Sequence, residues 1–310
     1  MIRDFRADDA PALLALLTTD FPEEEALTGS RPDGYTRVIR RIYRWDARLL
    51  LAVAAAFGRP VFRFFVVEED GRLVATTLLT FPARAGFVSM VAVDRAYRRR
   101  GFAKALLERA RLGAARARRR YVALDVLATN APARALYASL GYRPLRESRV
   151  MVWEGEPPSA TPPPTSVRPF RRADVRPLLA LARGAAPAEV EEVLPVGPGQ
   201  FGSGGIATRA LEGETAAWVV DRGRGAEAYV AVSRSGAMTA AHLSAPIVAA
   251  TADPAAVEGL VRTAVDWCAR RGAPRLISQV PLSSAAARAA LDGGGFHDAL
   301  AIWTLYRTVA

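Results

Sequence analysis

Three features of this sequence could do chemistry, and all lie between Phe87 and Tyr142. The first is the turn Arg98-Arg99-Arg100-Gly101-Phe102-Ala103, where an apolar strand ends and a long helix begins. The leading N–H groups of such a helix have no internal partner, and with the helix dipole they favour an anion. Gly101 lets a bulky ligand approach the backbone, and Ala103 keeps the first helical turn low. Three arginines oppose the dipole at this end, so they need a compensating anion or full solvation; a diphosphate suits. The same residues also read as an ordinary loop before an amphipathic helix. The second feature is Asn130, at the cap position of the next helix, with Pro132 tolerated in its first turn. The third is Tyr137, seven residues on and so on the same helix face, with Leu136 and Leu140 toward the core. A phenol stays protonated at neutral pH and can act as a general acid, though a tyrosine is usually a core aromatic with its hydroxyl at the edge.

The elements that must position these groups follow from the apolar pattern. Phe87–Val93 reads as a buried strand, Gly101–Arg116 as a helix and Tyr121–Leu127 as a strand. Ala131–Leu140 reads as a helix and Tyr142–Trp153 as a strand. Upstream, Ile2–Arg6 alternates as a strand, and Asp8 or Asp9 caps a helix through about Thr19. Residues 20–34 are acidic and turn-rich, and Gly34–Phe57 has helical spacing. Val61–Glu68 and Arg72–Phe81 form a hairpin around Glu69-Asp70-Gly71. Helices alternate with strands, but the hairpin makes the sheet mixed, so the fold class is α/β with a mixed sheet.

The chain repeats itself after a proline-rich linker. IRDFRADDAPALLALL (2–17) matches VRPFRRADVRPLLALA (167–182), pairing Arg3 with Arg168 and Asp9 with Asp174. Near the ends, Ala133-Arg134-Ala135 matches Ala287-Arg288-Ala289, and Gly141-Tyr142 matches Gly295-Phe296. We expect two copies of one domain, 1–154 and 167–310, joined by 155–166. The second copy should carry strands over 167–171, 216–221, 227–233, 238–248, 275–280 and 296–308. Its helices should span 174–184, 254–271 and 284–293, with a loop-rich region at 185–215. It has lost the chemistry of the first. Asp253-Pro254 replaces the arginine–glycine turn, Ser284 stands for Asn130, and Leu291 for Tyr137. The Asp253 carboxylate would occupy the place of an incoming phosphate. Gly197-Pro198-Gly199-Gln200-Phe201-Gly202-Ser203-Gly204-Gly205 lacks the Lys-Ser/Thr ending of a phosphate loop and reads as a flexible loop.

Composition removes several classes. One cysteine, Cys268, allows no internal disulfide or thiolate cluster, and two histidines allow no His-rich metal site. No apolar run reaches membrane-spanning length, and acids stand where a signal peptide needs basic residues, so we expect a cytoplasmic protein. Residues 84–120 hold twelve basic and two acidic side chains, most of the net surplus of +11. Such a patch expects an anionic partner, a phosphorylated cofactor before nucleic acid. Only Phe87, Tyr97 and Phe102 interleave with it, which argues against a base-stacking platform.

The order apolar strand, R/Q-x-x-G-x-G/A, helix, apolar strand, N-x-x-A-x-x-x-Y, G-F/Y resembles the acetyl-CoA-binding core of the GNAT superfamily of N-acetyltransferases. Here it reads Val91-Ala92-Val93, Arg98-x-x-Gly101-x-Ala103, Asn130-x-x-Ala133-x-x-x-Tyr137 and Gly141-Tyr142. The resemblance implies tandem GNAT-like domains with a degenerate second copy, acetyl-CoA as co-substrate and no metal. It implies that the N–H groups of Arg99, Arg100, Gly101, Phe102 and Ala103, beside Arg98, cradle the diphosphate. The edge of the strand at Val91, Ala92 and Val93, chiefly Val91 and Val93, would pair with the pantetheine arm. Asn130 would bond the cofactor and Tyr137 would protonate the leaving thiolate. Many members carry a general base beside this strand, but residues 82–93 contain no acid. Asp20, Glu23, Glu24 and Glu25 are candidates from elsewhere, as are a water relay or an amine that arrives neutral. The activity implied is acetyl transfer to a primary amine; a catalytically silent acyl-CoA sensor or scaffold is the alternative. The acceptor stays open, and a monomer of two repeats fits.

Overall fold

The computed structural model describes residues 1–29, 61–82, 84–155, 164–202, 213–235 and 238–309. The helical expectation over Gly34–Phe57, most of the linker and Ser203–Gly205 lie outside the described residues. In the N-terminal repeat the order is β1 (Ile2–Asp4), α1 (Ala10–Asp20), α2 (Pro22–Thr28), β2 (Phe62–Glu69), β3 (Arg72–Thr80) and β4 (Ala85–Val93). It continues through α3 (Phe102–Arg116), β5 (Tyr121–Leu127), α4 (Ala131–Ser139) and β6 (Arg143–Glu154). The C-terminal repeat runs β7 (Val167–Pro169), α5 (Val175–Ala185), α6 (Ala188–Val193), β8 (Glu214–Asp221), β9 (Ala226–Arg234), β10 (Ala241–Leu243) and β11 (Ile247–Val248). It ends with α7 (Pro254–Ala269), β12 (Arg275–Pro281), α8 (Ala285–Gly293) and β13 (His297–Thr308).

Three local expectations are corrected. The acidic stretch after Asp20 is not all turn: Pro22 opens α2, and acids suit the first turn of a helix. The loop-rich region holds α6, with Glu189 and Glu191 in its first turn. The strand expected over 238–248 breaks into β10 and β11 around Pro246, which has no N–H for a ladder.

The strands form one mixed sheet, ordered β1-β2-β3-β4-β5-β13-β6-β12-β10-β9-β8-β7 with β11 beside β9. The sheet does not part where the sequence repeat does. β13, the last strand of the C-terminal repeat, lies between β5 and β6; β6, the last strand of the N-terminal repeat, lies between β13 and β12. Thr304 thus faces Asp125 on one side and Arg146 on the other. The cores follow the exchange. Leu305 and Val309 are buried with Leu106, Leu107 and Leu124 of the N-terminal repeat. Met151 and Trp153 are buried with Leu260, Val261 and Leu276 of the C-terminal repeat. A smaller cluster joins Ala85, Tyr121, Ala123 and Tyr306 to Val193 of α6, and the hydroxyls of Tyr121 and Tyr306 donate to Glu192 and Glu189.

The residues that carry the sequence repeat near each start are structural. Arg3 grips both oxygens of Asp9 at 2.7 and 2.8 Å and also donates to Glu68. Arg168 does the same to Asp174 at 2.8 Å and also donates to Asp221. Each aspartate also reaches back to accept the N–H of the residue that opens its own short helical turn, Arg6 or Arg171, and so does not cap the helix that follows. Burial pushes the Asp9 carboxyl up, but its hydrogen bonds from Arg3 and Arg6 outweigh this and hold it below the usual range. The Arg168 guanidinium holds Asp174 low against its own burial.

Candidate active site

α3 starts at Gly101, whose φ of 85° is the left-handed conformation a glycine takes without strain. Arg99 before it is also left-handed, at 63°. No side chain among the described residues caps this helix, and its first intrahelical bond runs from the Ala105 N–H to the Gly101 carbonyl at 3.0 Å. The N–H groups of Phe102, Ala103 and Lys104 therefore have no partner among the described residues. A Cβ built on Gly101 would meet nothing within 4 Å. The glycine is needed for its backbone angle, and space lies open in front of it. An unsatisfied row of donors at a dipole's positive end, with room before it, fits a diphosphate.

The equivalent helix α7 is capped by its own chain. Asp253 accepts the Ala255 N–H at 3.3 Å, and Pro254 fills the first helical position. Leu291, standing for Tyr137, is fully buried, and Ser284, standing for Asn130, makes no capping bond.

Beside α3, β4 and β5 are paired only over Ala85–Val88 and Tyr121–Leu124. Beyond these residues the strands part. Met90 takes a positive φ of 53°, and the β3–β4 register shifts between Thr76 and Leu78, which marks a bulge. The Asp94 N–H donates to Val74 of β3, so alternation turns the N–H groups of Val91 and Val93 to the unpaired edge. Val91 has no backbone partner there among the described residues, and Ala92 pairs with Thr76 of β3. The expectation for Val93 needs correction. Its N–H donates to Asp20 Oδ2 at 2.8 Å, and its carbonyl accepts from Arg98 Nε at 3.1 Å.

Asp20 also holds Arg98 at 2.6 Å. It ties the end of α1 to the strand and the turn, a clamp rather than a free base. Glu23 is exposed; the side chains of Glu24 and Glu25 lie outside the described residues. The arginine turn is corrected as well. Arg98 is neutralised by Asp20, and Arg100 pairs with Glu69 at 3.0 Å while lying over Tyr97 and Phe102. Two of the three positive charges already have anions. The backbone N–H groups and Arg99 are what an incoming anion would meet.

Asn130 caps α4, its Oδ1 accepting the Ala133 N–H at 3.1 Å. It is exposed, whereas Tyr137 is buried, with its ring centroid 5.9 Å from that of Tyr142. Tyr137, with Leu136 and Leu140 half-buried beside it, is thus the core-facing residue of α4. Burial pushes its pKa up to about 12, and its hydroxyl has no hydrogen-bond partner among the described residues. It holds a proton that no group among the described residues accepts. Cys268, in the last turn of α7, is buried on its core side, and burial pushes its thiol up to about 12, as suits a core residue.

One charged cluster escaped the sequence reading. Asp125 of β5 accepts from Thr304 Oγ1 of β13 at 2.7 Å and from Gln279 Nε2 of β12 at 3.1 Å. Thr304 in turn accepts from Arg146 Nε of β6 at 3.4 Å. Gln279 occupies in the second repeat the position that Asp125 holds in the first. The only local sign was a charge inside the apolar strand Tyr121–Leu127; the partners come from the exchanged strands. Among the described residues, no helix is long and apolar enough to cross a membrane, and no group of three or more His, Cys, Asp or Glu could hold a metal ion.

A mixed sheet that opens beside an uncapped, glycine-led helix defines an acyltransferase fold of GNAT type, here in tandem. Residues 13–142, within the N-terminal repeat, match the model of the Acetyltransferase (GNAT) family. The whole chain is similar to a tandem GNAT protein from the clavulanic acid biosynthesis pathway, solved without AcCoA. The TM-score is 0.62 at 16% identity, covering 100% of this chain and 98% of that one. A GCN5-related N-acetyltransferase from Sphaerobacter thermophilus gives 0.65 at 17% identity, covering 100% and 95%. A putative acetyltransferase from Pyrococcus horikoshii gives 0.63 at 12% identity, covering 99% and 89%. None of the curated proteins compared matches this sequence.

Proposed function

We propose that this protein is an acetyl-CoA-dependent N-acetyltransferase whose active site lies in the N-terminal repeat, residues 1–154. The observation that carries this reading is the contrast between two equivalent helices. α3 presents uncapped N–H groups beside parted strands, and α7 is plugged by Asp253. In this reading the N–H groups from Arg99 to Ala103 hold the diphosphate, and the free edge at Val91 pairs with the pantetheine arm. An N–H on that edge polarises the thioester carbonyl. The exposed Asn130 retains its amide N–H donors for the cofactor.

The reaction is direct attack. A neutral amine forms the C–N bond, the C–S bond breaks, and the departing sulfur takes the Tyr137 proton. The amine's surplus proton leaves to solvent, and the Tyr137 phenolate takes a proton back from solvent. Burial keeps Tyr137 protonated across the neutral range, as a general acid requires. The C-terminal repeat, 167–310, binds no cofactor in this reading and instead completes the sheet.

The test is free-thiol release from acetyl-CoA with a panel of amines, run beside Tyr137→Phe. We expect turnover by the native protein and a loss on the order of 10²-fold in the variant, with CoA binding retained. The commitment of Asp20 to Arg98 and Val93 leaves no assigned base, which favours a second reading, a silent acyl-CoA sensor. A melting temperature raised by CoA with no thiol release from any amine would select it.

A further inference from the structure

Building on the N-acetyltransferase reading, we propose that the acceptor is an amine that also bears a carboxylate, its nitrogen at Asp125 and its carboxylate at Arg146. Asp125 follows Leu124, the last β5 residue paired with β4, so it stands where the two strands part. Val122, Leu124 and Val126 fill the core under α3, and Tyr121 and Ala123 lie in the cluster on the opposite face. Alternation puts Asp125 on that opposite face. Thr304 shares it, two residues before Tyr306 of the same cluster. An acceptor reaching the parted strands from this side would meet Asp125 while the cofactor diphosphate sits at α3.

The two charges of the cluster are both under-compensated. Asp125 is held by two neutral donors, a hydroxyl and an amide. Arg146 makes one long hydrogen bond through Nε. Its terminal nitrogens have no partner among the described residues and are not sealed from solvent. Burial pulls its pKa down, and Asp125 offsets this only in part. Two residues along the same face, the Ser148 hydroxyl is fully buried and has no hydrogen-bond partner. A half-buried guanidinium whose fork has no partner among the described residues, beside an orphan hydroxyl, is built for a carboxylate, which it would take in bidentate fashion. Asp125 and Arg146 lie on either side of the single Thr304 hydroxyl, a short span that suits an amino acid or a small peptide. Thr304 and Gln279 come from β13 and β12, so the second repeat supplies the support of this acceptor site.

The experiment compares L-amino acids and dipeptides with their C-terminal carboxamides as acceptors, in the full chain, with Arg146→Gln and Arg146→Lys alongside. The second readout is the melting temperature of the CoA-loaded protein with each compound. We expect the free acids to exceed the amides by about 10²-fold in kcat/KM. Arg146→Gln should reduce this preference to a few-fold, and Arg146→Lys should keep part of it. Should a variant fail to fold, the native protein's preference decides alone. Acids and amides serving equally in the native protein would overturn the proposal while leaving the transferase reading intact. A melting shift with the acids only, without turnover of any amine, would uphold the carboxylate site and sink the transferase reading. Neither shift nor preference would overturn the proposal.

Discussion

Replacing Leu305 by alanine should loosen the N-terminal repeat, although Leu305 lies five residues from the end of the chain. Leu305 is 7% exposed, sits opposite Leu124 of β5 and packs in the core that holds Leu106 and Leu107. Truncating a buried leucine costs about 2–5 kcal/mol, through lost transfer energy and the cavity left behind. At about 3 kcal/mol, amides that exchange through opening of this core should exchange roughly 10²-fold faster, since each 1.4 kcal/mol is tenfold. The assay is hydrogen exchange by mass spectrometry on peptides from Tyr121–Leu127 and Ala226–Arg234, with Trp153→Ala as the reciprocal variant. Trp153 is 5% exposed in the core of α7, so its truncation should loosen Ala226–Arg234 by a comparable or larger factor. Unchanged protection of Tyr121–Leu127 in Leu305→Ala, with protection lost in Ala226–Arg234, would mean that each last strand stays with its own repeat.

Other outcomes follow from the site and from the repeat. Gly101→Val forces a β-branched residue into φ 85° in open space. It should weaken CoA binding at least tenfold, read by calorimetry, while costing only about 1–2 kcal/mol of stability. Tyr137 has its pKa raised to about 12 by burial, so its proton is retained as pH rises through 10. The pH–rate profile should then show no alkaline fall assignable to Tyr137 between pH 7 and 10, and such a fall that vanished in Tyr137→Phe would contradict this. Asp9 and Asp174 have folded pKa values below the usual carboxylate range. Their stabilisation is fully present above the unfolded carboxylate pKa of about 3.9 and lost as pH falls through the folded values. Denaturant unfolding from pH 6 to 2.5 should accordingly show a shallower acid decline in the Arg3→Ala, Arg168→Ala double variant.

What was legible in the sequence was local. The unpartnered donors of α3 follow from a glycine ahead of a helix, and β5 was read in full because one apolar run makes one strand. The capped start of α7 was equally plain from Asp253-Pro254. What escaped depends on which distant groups meet. β6 and β13 each look like the last strand of their own repeat, and nothing in their alternation says that they trade places. The arginines of the turn seemed to await an external anion because Asp20 and Glu69 come from other elements. Arg3 and Asp9 were found as matched positions, and only the structure gives them a shared role as a clamp. Asp125 was a visible anomaly in an apolar strand, but its setting is assembled from three other strands.

The most direct test of the cofactor site is the stoichiometry of CoA binding to the full chain by calorimetry, repeated with Gly101→Val. We expect one CoA per chain, with that binding lost or strongly weakened in the variant. Two per chain would mean that the Asp253-capped helix also accepts the cofactor. One per chain with undiminished affinity in Gly101→Val would move the site away from α3.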